Sequence, residues 1–407
     1  VVQEIISNSF DEDSVTEINC IIKKEQDGKV LVEVKDNGNG FIDYKDAYTL
    51  YKYSYKRTDP TKRGRFNLGE KQFFVLAEKG LVLTSNKRIE FIEDKRMIST
   101  INYPKSVFVS GTFDWTQNDI NDIIKTMHKL IVPEGKTLWI NESKVEPLDK
   151  IRTVENALLW TEMDDAEDKK PRRIKRETKI DLCQIQEGEQ AWLYELGVPV
   201  QKLGYTVLWH INICQKIPLP VGRNMVSDAY LKELYGVVLN NAHDIIPEED
   251  AGADFVKLGM ATATEETAKS ILEKVYGTDE LYFKSSDPYA NESACNTGGE
   301  LIPDGDFDRQ TRQHLEEIGA VQYAGQVFKT TLVTAKPFKS TQKMQHFASA
   351  MSRFAQEAIG KPVDFKFVWS DEATTLAQYS SGTITCNMAR CSKDFFDEFT
   401  PENIGLV

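Results

Sequence analysis

Residues 4–11 read Glu-Ile-Ile-Ser-Asn-Ser-Phe-Asp, and this stretch decides how the first domain is interpreted. Glu4, Asn8 and Asp11 stand at positions i, i+4 and i+7, so a helix would place them on one polar stripe. The amide oxygen of Asn8 is a hard ligand that suits Mg2+, and a carboxylate one turn away can polarise a water molecule. The alternative is a polar helix face that simply meets water.

A second motif follows a predicted strand. The alternating run 29–35 is typical of a strand, and it leads into Asp36-Asn-Gly38-Asn-Gly40. The two glycines let the backbone turn close beside a ligand. A buried carboxylate at position 36 can accept a hydrogen bond from the exocyclic amine of adenine. An ordinary glycine turn is the alternative.

Glycines also mark a third motif, in which residues 64–71 read Gly-Arg-Phe-Asn-Leu-Gly-Glu-Lys. A helix is predicted from Glu70 onward, so Gly64 and Gly69 lie in a loop that leads into a helix N-terminus. Backbone N–H groups and the helix dipole make such a place suitable for a triphosphate. The preceding segment 51–63 is basic and irregular, as expected of a mobile lid over phosphates. A plain loop is the alternative.

In order, spacing and residue type, the three motifs together resemble those of the GHKL ATPase superfamily, which includes gyrase B, Hsp90, MutL and the histidine kinases. The resemblance implies an α+β chain that begins with a Bergerat-type ATP-binding α/β sandwich over residues 1–148. In the superfamily a strand and a helix usually precede the first motif, and we expect this segment to be trimmed off before Val1.

The resemblance assigns a role to several residues. It implies that Glu4 activates the attacking water, that Asn8 binds Mg2+ and that Asp36 contacts the adenine amine. Thr112, which we place with Gly111 at the start of a strand, resembles a threonine that supports the adenine pocket. The other predicted nucleotide contacts are Asp11, Gly38, Gly40, Gly64, Asn67, Leu68, Gly69 and Lys71. Because many relatives carry a further glycine where this chain has Asn67, we expect a stiffer lid.

Glu4 also separates two kinds of activity within the superfamily. Histidine kinases lack a glutamate one turn before the asparagine, because they must keep water from attacking. The resemblance therefore implies an ATPase that hydrolyses ATP with Mg2+, rather than a phosphotransfer enzyme.

A second resemblance covers the part of the chain that follows. Strand-like runs at 191–200 and 205–213, a loop with cations and a helix over 227–240 follow one another. This order resembles the transducer domain of gyrase B, MutL and topoisomerase VI B. It implies a loop lysine that contacts the γ-phosphate, for which Lys216 is the candidate and Arg223 the reserve. Two surface cations in a loop are the alternative.

The length of 407 residues predicts two to four domains. We expect an ATP-binding domain over 1–148, a transducer-like domain over 149–250, a small α/β domain over 255–330 and a C-terminal α+β region over 335–407 that the sequence cuts short. In the last two regions, patterning predicts helices at 265–276, 288–296, 308–318 and 341–359, and strands at 280–284, 300–303, 363–368 and 382–386.

Charge limits the choice of partner. The net charge of −13 argues against general nucleic-acid binding, which depends on cations that meet phosphates. The segment Lys169–Lys179 is a local exception, with seven cations and one anion directly after the acidic residues 164–168. It is either a DNA-facing surface or a charged hairpin whose ions compensate one another.

Cysteine and histidine spacing predicts no transition-metal site. The six cysteines form no C-x-x-C pair, the five histidines are scattered, and H-E-x-x-H does not occur. No signal peptide and no membrane-spanning apolar run are found in the sequence. We therefore predict a cytoplasmic protein with reduced thiols and without membrane attachment.

Two functions of different classes remain open. In the first, ATP closes the lid, the chain forms a homodimer, and hydrolysis resets this switch. In the second, the chain is an interaction module that holds ATP or ADP with little turnover, while its C-terminal region recognises a partner. Glu4 favours the first function, and Asn67 leaves room for the second. ATPase assays with and without DNA would separate them.

Overall fold

The protein is described from a computed structural model, which covers all residues except 51, 65–68, 94, 220–224, 329–334, 372, 374–375, 381 and 392–407. Contacts divide the chain into two compact units, Val1–Ala263 and Thr264–Val407. The predicted ATP-binding and transducer-like domains both fall within the first unit. The finer boundaries at 148, 250 and 330 remain predictions.

The first unit begins with a mixed sheet and three helices. Its strands are β1 (Glu17–Lys24), β2 (Val30–Asp36), β3 (Lys79–Thr84), β4 (Lys87–Ile92), β5 (Lys95–Thr100), β6 (Val107–Phe113), β7 (Thr137–Ile140) and β8 (Ser143–Lys144). The helices are α1 (Val2–Phe10), α2 (Gly69–Leu76) and α3 (Gln117–Met127). Across the described residues the strand order is β5-β4-β3-β6-β2-β1-β7-β8, with β1 and β7 parallel and the other neighbours antiparallel.

Alternating side chains explain why the helices pack on this sheet. Val30, Val32 and Val34 of β2 are buried on one face, where they join a core that includes Ile6 of α1 and Phe73 of α2. Burial of apolar area of this kind stabilises a fold by roughly 25 cal/mol per Å². The predicted α/β sandwich is therefore confirmed as a mixed sheet with helices packed against it.

A second sheet completes the first unit. Its strands are β9 (Lys150–Asp164), β10 (Pro171–Cys183), β11 (Trp192–Glu195), β12 (Val198–Lys202) and β13 (His210–Ile213), in the order β12-β11-β13-β10-β9. Two helices follow, α4 (Asp228–Ala242) and α5 (Asp254–Gly259). The Ser227 hydroxyl accepts a hydrogen bond from the Tyr230 N–H and so caps α4.

One predicted strand of this sheet is wrong. The run 191–200 forms two antiparallel strands, β11 and β12, instead of one. Leu196 and Gly197 separate them, with φ angles of 53° and 82°. Positive φ at two successive residues is the geometry of a tight hairpin turn, and a leucine in that position hides the turn from sequence patterning.

The second unit alternates helices with short strands. Its first part contains α6 (Glu265–Tyr276), β14 (Leu281–Phe283), α7 (Pro288–Asn296), β15 (Glu300–Ile302), α8 (Arg309–Glu317), β16 (Gln322–Tyr323) and α9 (Ala324–Val327). Its three described strands are parallel, in the order β15-β14-β16. The predicted small α/β arrangement is thereby confirmed as a parallel sheet.

The rest of the second unit contains one long helix and a four-stranded described sheet. Its elements are β17 (Lys336–Pro337), α10 (Gln342–Ile359), β18 (Asp364–Trp369), β19 (Ala377–Ser380) and β20 (Thr383–Asn387), with strand order β17-β18-β20-β19. The helix and the strands at 363–368 and 382–386 match the prediction. The edge strands β17 and β19 were not predicted.

No helix in the described part of the chain is long and apolar enough to cross a membrane. The same residues contain no group of three or more His, Cys, Asp or Glu side chains that could hold a metal ion.

The cysteines give a direct test of burial in both units. Cys295 is exposed, whereas Cys20 and Cys183 are buried. Burial raises the pKa of the Cys20 thiol to about 12 and that of Cys183 to about 11. We expect a thiol-alkylating reagent to modify Cys295 of the native protein well before Cys20, as followed by intact mass and peptide mapping. Equal rates at these two cysteines would contradict the fold.

Candidate functional site

Glu4 lies directly against the N-terminus of α2. A Cβ atom placed on Gly69 would lie 2.7 Å from both Cβ and Cγ of Glu4, and still closer to its carboxylate. Any side chain at position 69 would therefore collide with Glu4. Gly69 lets the half-buried Glu4 reach the end of the helix, where unpaired N–H groups and the helix dipole favour anions.

Asn8, one turn further along α1, also reaches α2. Its Nδ2 donates a hydrogen bond of 2.8 Å to Oε2 of Glu70. The other oxygen of Glu70, Oε1, pairs with the ammonium of Lys71. Glu70 and Lys71 are both buried, with 9% and 6% of their surfaces exposed. The predicted residues Glu4, Asn8, Gly69 and Lys71 are thus brought together between α1 and α2.

Asp36 lies at the end of β2 and is 5% exposed. Its Oδ2 accepts a 2.7 Å hydrogen bond from the Ser9 hydroxyl, and its Oδ1 accepts from the N–H groups of Gly38 at 3.0 Å and Val107 at 3.3 Å. Burial raises the pKa of this carboxyl group, and the three donors partly oppose the rise. A carboxylate has about four lone-pair positions, so one remains for a ligand amine.

The two glycines after Asp36 allow a tight loop. A Cβ on Gly38 would lie 2.6 Å from Val15, and one on Gly40 would lie 2.6 Å from the Ser85 hydroxyl. Gly40 also has a φ angle of 80°, which side chains other than glycine rarely adopt. The loop therefore packs closely against its neighbours at two positions where a larger side chain would not fit.

The placement of Thr112 is a correction. In the register of β2 and β6, Asp36 pairs with Val107, whereas Thr112 pairs with Leu31 at the other end of the strand. At about 3.4 Å per residue, five residues separate Thr112 from the Asp36 end by roughly 17 Å. Gly111 and Thr112 lie near the end of β6 instead of its start, because the strand already begins at Val107. Gly111 packs under the ring of Phe73.

Ser106, which no sequence motif indicates, directly precedes the end of β6 that Thr112 was expected to occupy. It is 4% exposed, and its hydroxyl has no hydrogen-bond partner among the described residues. It directly precedes Val107, whose N–H contacts Asp36. The available signal was a small polar residue just before the apolar run 107–109, but only the strand register shows that this residue directly precedes the partner of Asp36.

Asp11 and Arg63 form a buried pair that fastens the lid segment. The Asp11 side chain is fully buried, and its Oδ1 accepts from the N–H and Nη1 of Arg63 at 2.9 and 3.1 Å. Its Oδ2 accepts from the Gly64 N–H at 3.1 Å. Burial lowers the pKa of Arg63, which Asp11 counteracts. The guanidinium also lies over the Phe10 ring and donates to the carbonyl oxygen of Leu196 in the second sheet.

Lys216 contacts the same lid segment from the second sheet side. It is 1% exposed, and its Nζ donates to the carbonyl oxygens of Lys56 and, at 2.9 Å, Asp59. Its own N–H donates to the Pro60 carbonyl at 2.7 Å. The alternative of a surface cation is excluded for Lys216. A role toward a γ-phosphate remains a prediction. Asn67, Leu68 and Arg223 lie outside the described residues.

The basic segment 169–179 lies in the turn and second strand of the long β9–β10 hairpin. Several of its cations have carboxylate partners at 2.5–3.2 Å: Arg172 with Asp165 and Asp168, Arg173 with Glu162, Lys175 with Glu233, and Lys179 with Glu155. Such exposed pairs stabilise a fold only slightly. Their presence agrees with the second interpretation of this segment, a charge-compensated hairpin.

Comparisons with known proteins find likeness in solved structures alone. No protein-family model matches the chain, and no curated protein sequence matches it. The ATPase region of Saccharomyces cerevisiae topoisomerase II is 13% identical, with a TM-score of 0.34 over 52% of this chain and 70% of that one. The N-terminal domain of a DNA repair protein is 14% identical, with a TM-score of 0.32 over 56% of this chain and 87% of that one.

A third solved structure is the MutL ATPase domain of Aquifex aeolicus, complexed with ADP. It is 11% identical, with a TM-score of 0.30 over 53% of this chain and 90% of that one. At these identities and TM-scores, the likeness assigns no chemistry to this chain.

Proposed function

We propose that residues 1–263 bind ATP with Mg2+ and hydrolyse it, and that the bound nucleotide gates a conformational change or dimerisation. One observation carries the proposal: helix α1 touches both ends of the candidate site. Glu4 and Asn8 reach the N-terminus of α2, while the adjacent Ser9 donates to Asp36 at the end of β2. Helix α1 alone would thus contact the nucleotide at both its adenine end and its phosphate end.

The residues at the Asp36 end fit an adenine ring. The Asp36 carboxylate has acceptor capacity left, and the buried Ser106 hydroxyl lacks a hydrogen-bond partner among the described residues. Buried polar groups without hydrogen-bond partners are uncommon in proteins. A bound ligand, or a water that bridges to it, would supply a partner for the Ser106 hydroxyl. An amine donor from the base would satisfy the remaining acceptor site of Asp36.

The other end fits phosphates and a magnesium ion. The N-terminus of α2 favours an anion, and Lys71 adds a cation nearby. Asn8 would hold Mg2+ through its amide oxygen, because the amide nitrogen already faces Glu70. When bound, the ion would neutralise part of the phosphate charge.

Glu4 would act as the general base. Its carboxylate accepts a proton from the attacking water, whose oxygen forms a bond to the γ-phosphorus while the bond to the bridging oxygen breaks, leaving ADP and phosphate. The packing of Glu4 against Gly69 holds this carboxylate near the phosphate end. Lys216 and Arg63 would couple the outcome to the second sheet, because Lys216 donates to carbonyl oxygens of the lid segment and Arg63, which belongs to that segment, donates to the Leu196 carbonyl oxygen.

Purified protein assayed for Mg2+-dependent ATP hydrolysis, with and without DNA, tests this function. We expect turnover that requires Mg2+ and that depends on Glu4. Nucleotide binding without Glu4-dependent turnover would instead favour an interaction module. Stimulation by DNA would identify DNA as the client of the switch.

Asp36→Asn should weaken ATP binding by about 10- to 100-fold while the fold survives. The amide presents a donor to a site that already contains three donors, and a mispaired buried group costs about 1–3 kcal/mol. Calorimetric titration with ATP and GTP measures the loss, and Asp114→Asn, an exposed aspartate in the same unit, is the matched control. If the Asp36 variant discriminates ATP from GTP as well as the parent does, Asp36 does not contact the base.

Lys216→Met should abolish a nucleotide-driven change of shape while ADP binding stays normal. The variant keeps the length of the buried side chain but removes the donor that holds the lid carbonyls. Small-angle scattering with a non-hydrolysable ATP analogue should show compaction or dimer formation in the parent alone, and ADP should produce neither. The exposed Lys144→Met is the control. Identical parent curves with analogue and ADP would contradict the switch.

A further inference from the structure

The contact between Asn8 and Glu70 connects the two helices of the phosphate end. Asn8 donates from Nδ2 to Oε2 of Glu70 at 2.8 Å, and Lys71 occupies the neighbourhood of Oε1. Glu70 is 9% exposed, so its carboxylate has little access to water. A buried carboxylate with two separate partners has few alternative orientations.

This contact fixes which way the Asn8 amide faces. An ionised carboxylate can only accept hydrogen bonds, so the group of Asn8 that faces Glu70 must be the NH2. The oxygen and nitrogen of an amide lie on opposite sides of one planar group, and the Asn8 oxygen is therefore turned away from Glu70. Without this contact, the Asn8 amide could rotate by 180° at little cost. Its nitrogen, which cannot bind a cation, would then face the phosphate end for part of the time.

We propose that Glu70 is a positioning residue: it orients the Asn8 amide so that the amide oxygen points toward the phosphate end, where it can bind the metal. The inference rests on the proposed function. Glu70 itself touches neither metal nor phosphate in this role. Its contribution is orientation: without it, Asn8 spends part of its time with a donor where Mg2+ needs an acceptor.

Three variants test the direction of this hydrogen bond. In Glu70→Gln the side-chain amide can donate or accept, so Asn8 is no longer fixed. In Asn8→Asp two carboxylates face each other and repel. In the double variant, the amide of the new glutamine donates to the new aspartate, whose other oxygen remains directed at the metal. The hydrogen bond is then restored with its donor and acceptor exchanged.

We expect Glu70→Gln to raise the Mg2+ concentration for half-maximal ATP turnover by about tenfold, the equivalent of one hydrogen bond to a charged group. Turnover at saturating Mg2+ should change much less. In the double variant, the Mg2+ concentration for half-maximal turnover should return most of the way to the parent value, in contrast to each single variant. Glu78→Gln, an exposed glutamate of the same unit, is the control. Paramagnetic resonance of bound Mn2+ with a non-hydrolysable analogue gives a second measurement that does not require turnover.

The outcomes separate this inference from the function on which it rests. A parent protein without Mg2+-dependent nucleotide binding overturns both. A parent with that dependence, together with a Glu70→Gln variant of unchanged half-saturation for both Mg2+ and Mn2+, overturns the role of Glu70 alone. Failure of the double variant to recover, with its fold intact by circular dichroism, also overturns it, because the charge of Glu70 rather than the bond direction would then matter.

Discussion

Glu4→Ala should lower ATP turnover by about 10²-fold or more while ATP binding stays nearly intact, as expected when a general base is removed. The carboxylate lies against Gly69 at the N-terminus of α2, and its loss removes the group that would accept the proton of the attacking water. Steady-state phosphate release measures turnover, and titration with a non-hydrolysable analogue measures binding.

A matched control for Glu4→Ala is available on the same segment. Glu12 follows α1, its side chain is 49% exposed, and it pairs with Lys56 of the lid. Glu12→Ala should leave turnover within about threefold of the parent, since an exposed ion pair contributes little. Turnover in Glu4→Ala equal to that of the Glu12 variant would remove Glu4 from the mechanism.

Asp11→Ala should lower the free energy of unfolding of the first unit by about 3–5 kcal/mol, the usual cost of removing one partner of a buried ion pair. Arg63 would keep its charge inside the protein, and the N–H groups of Arg63 and Gly64 would lose their acceptor. Urea unfolding followed by tryptophan fluorescence measures the change through the transition midpoint and its slope.

Asp13→Ala is the control for this experiment. Asp13 lies two residues away, its side chain is 93% exposed, and it pairs with Lys62. We expect this variant to unfold with nearly the parent midpoint. A similar midpoint for the Asp11 and Asp13 variants would show that the Asp11–Arg63 pair does not fasten the lid.

Local patterns predicted the elements that carry the site. Helix α1 and strand β2 follow from apolar periodicity in the first 36 residues, and α2 follows from the glycine-flanked run before it. The resemblance also predicted that the first and third motifs share one site, and Glu4 of the first motif does lie against Gly69 of the third. These features depend on neighbours in sequence or on a single packing step, so one chain suffices to predict them.

Features that depend on non-local pairing were missed. The sequence does not specify that β6 pairs with β2 so that Val107, and not Thr112, lies opposite Asp36. The partnership of Asn8 with Glu70 spans 62 positions and requires two helices to pack together. Likewise, the sequence predicts that Lys216 lies in a loop, but its burial depends on the packing of the second sheet against the lid segment.

Lys216 holds the lid through carbonyl oxygens of the main chain, which every amino acid supplies. The identity of the side chains at positions 56, 59 and 60 is therefore immaterial to this contact, whereas position 216 must provide a long donor. Substitutions at positions 56, 59 and 60 can accumulate without removing the hydrogen bonds from Lys216 to the lid. Homologous chains should accordingly vary at these lid positions and keep lysine at 216, an asymmetry that would distinguish a contact made by the main chain from one made between side chains.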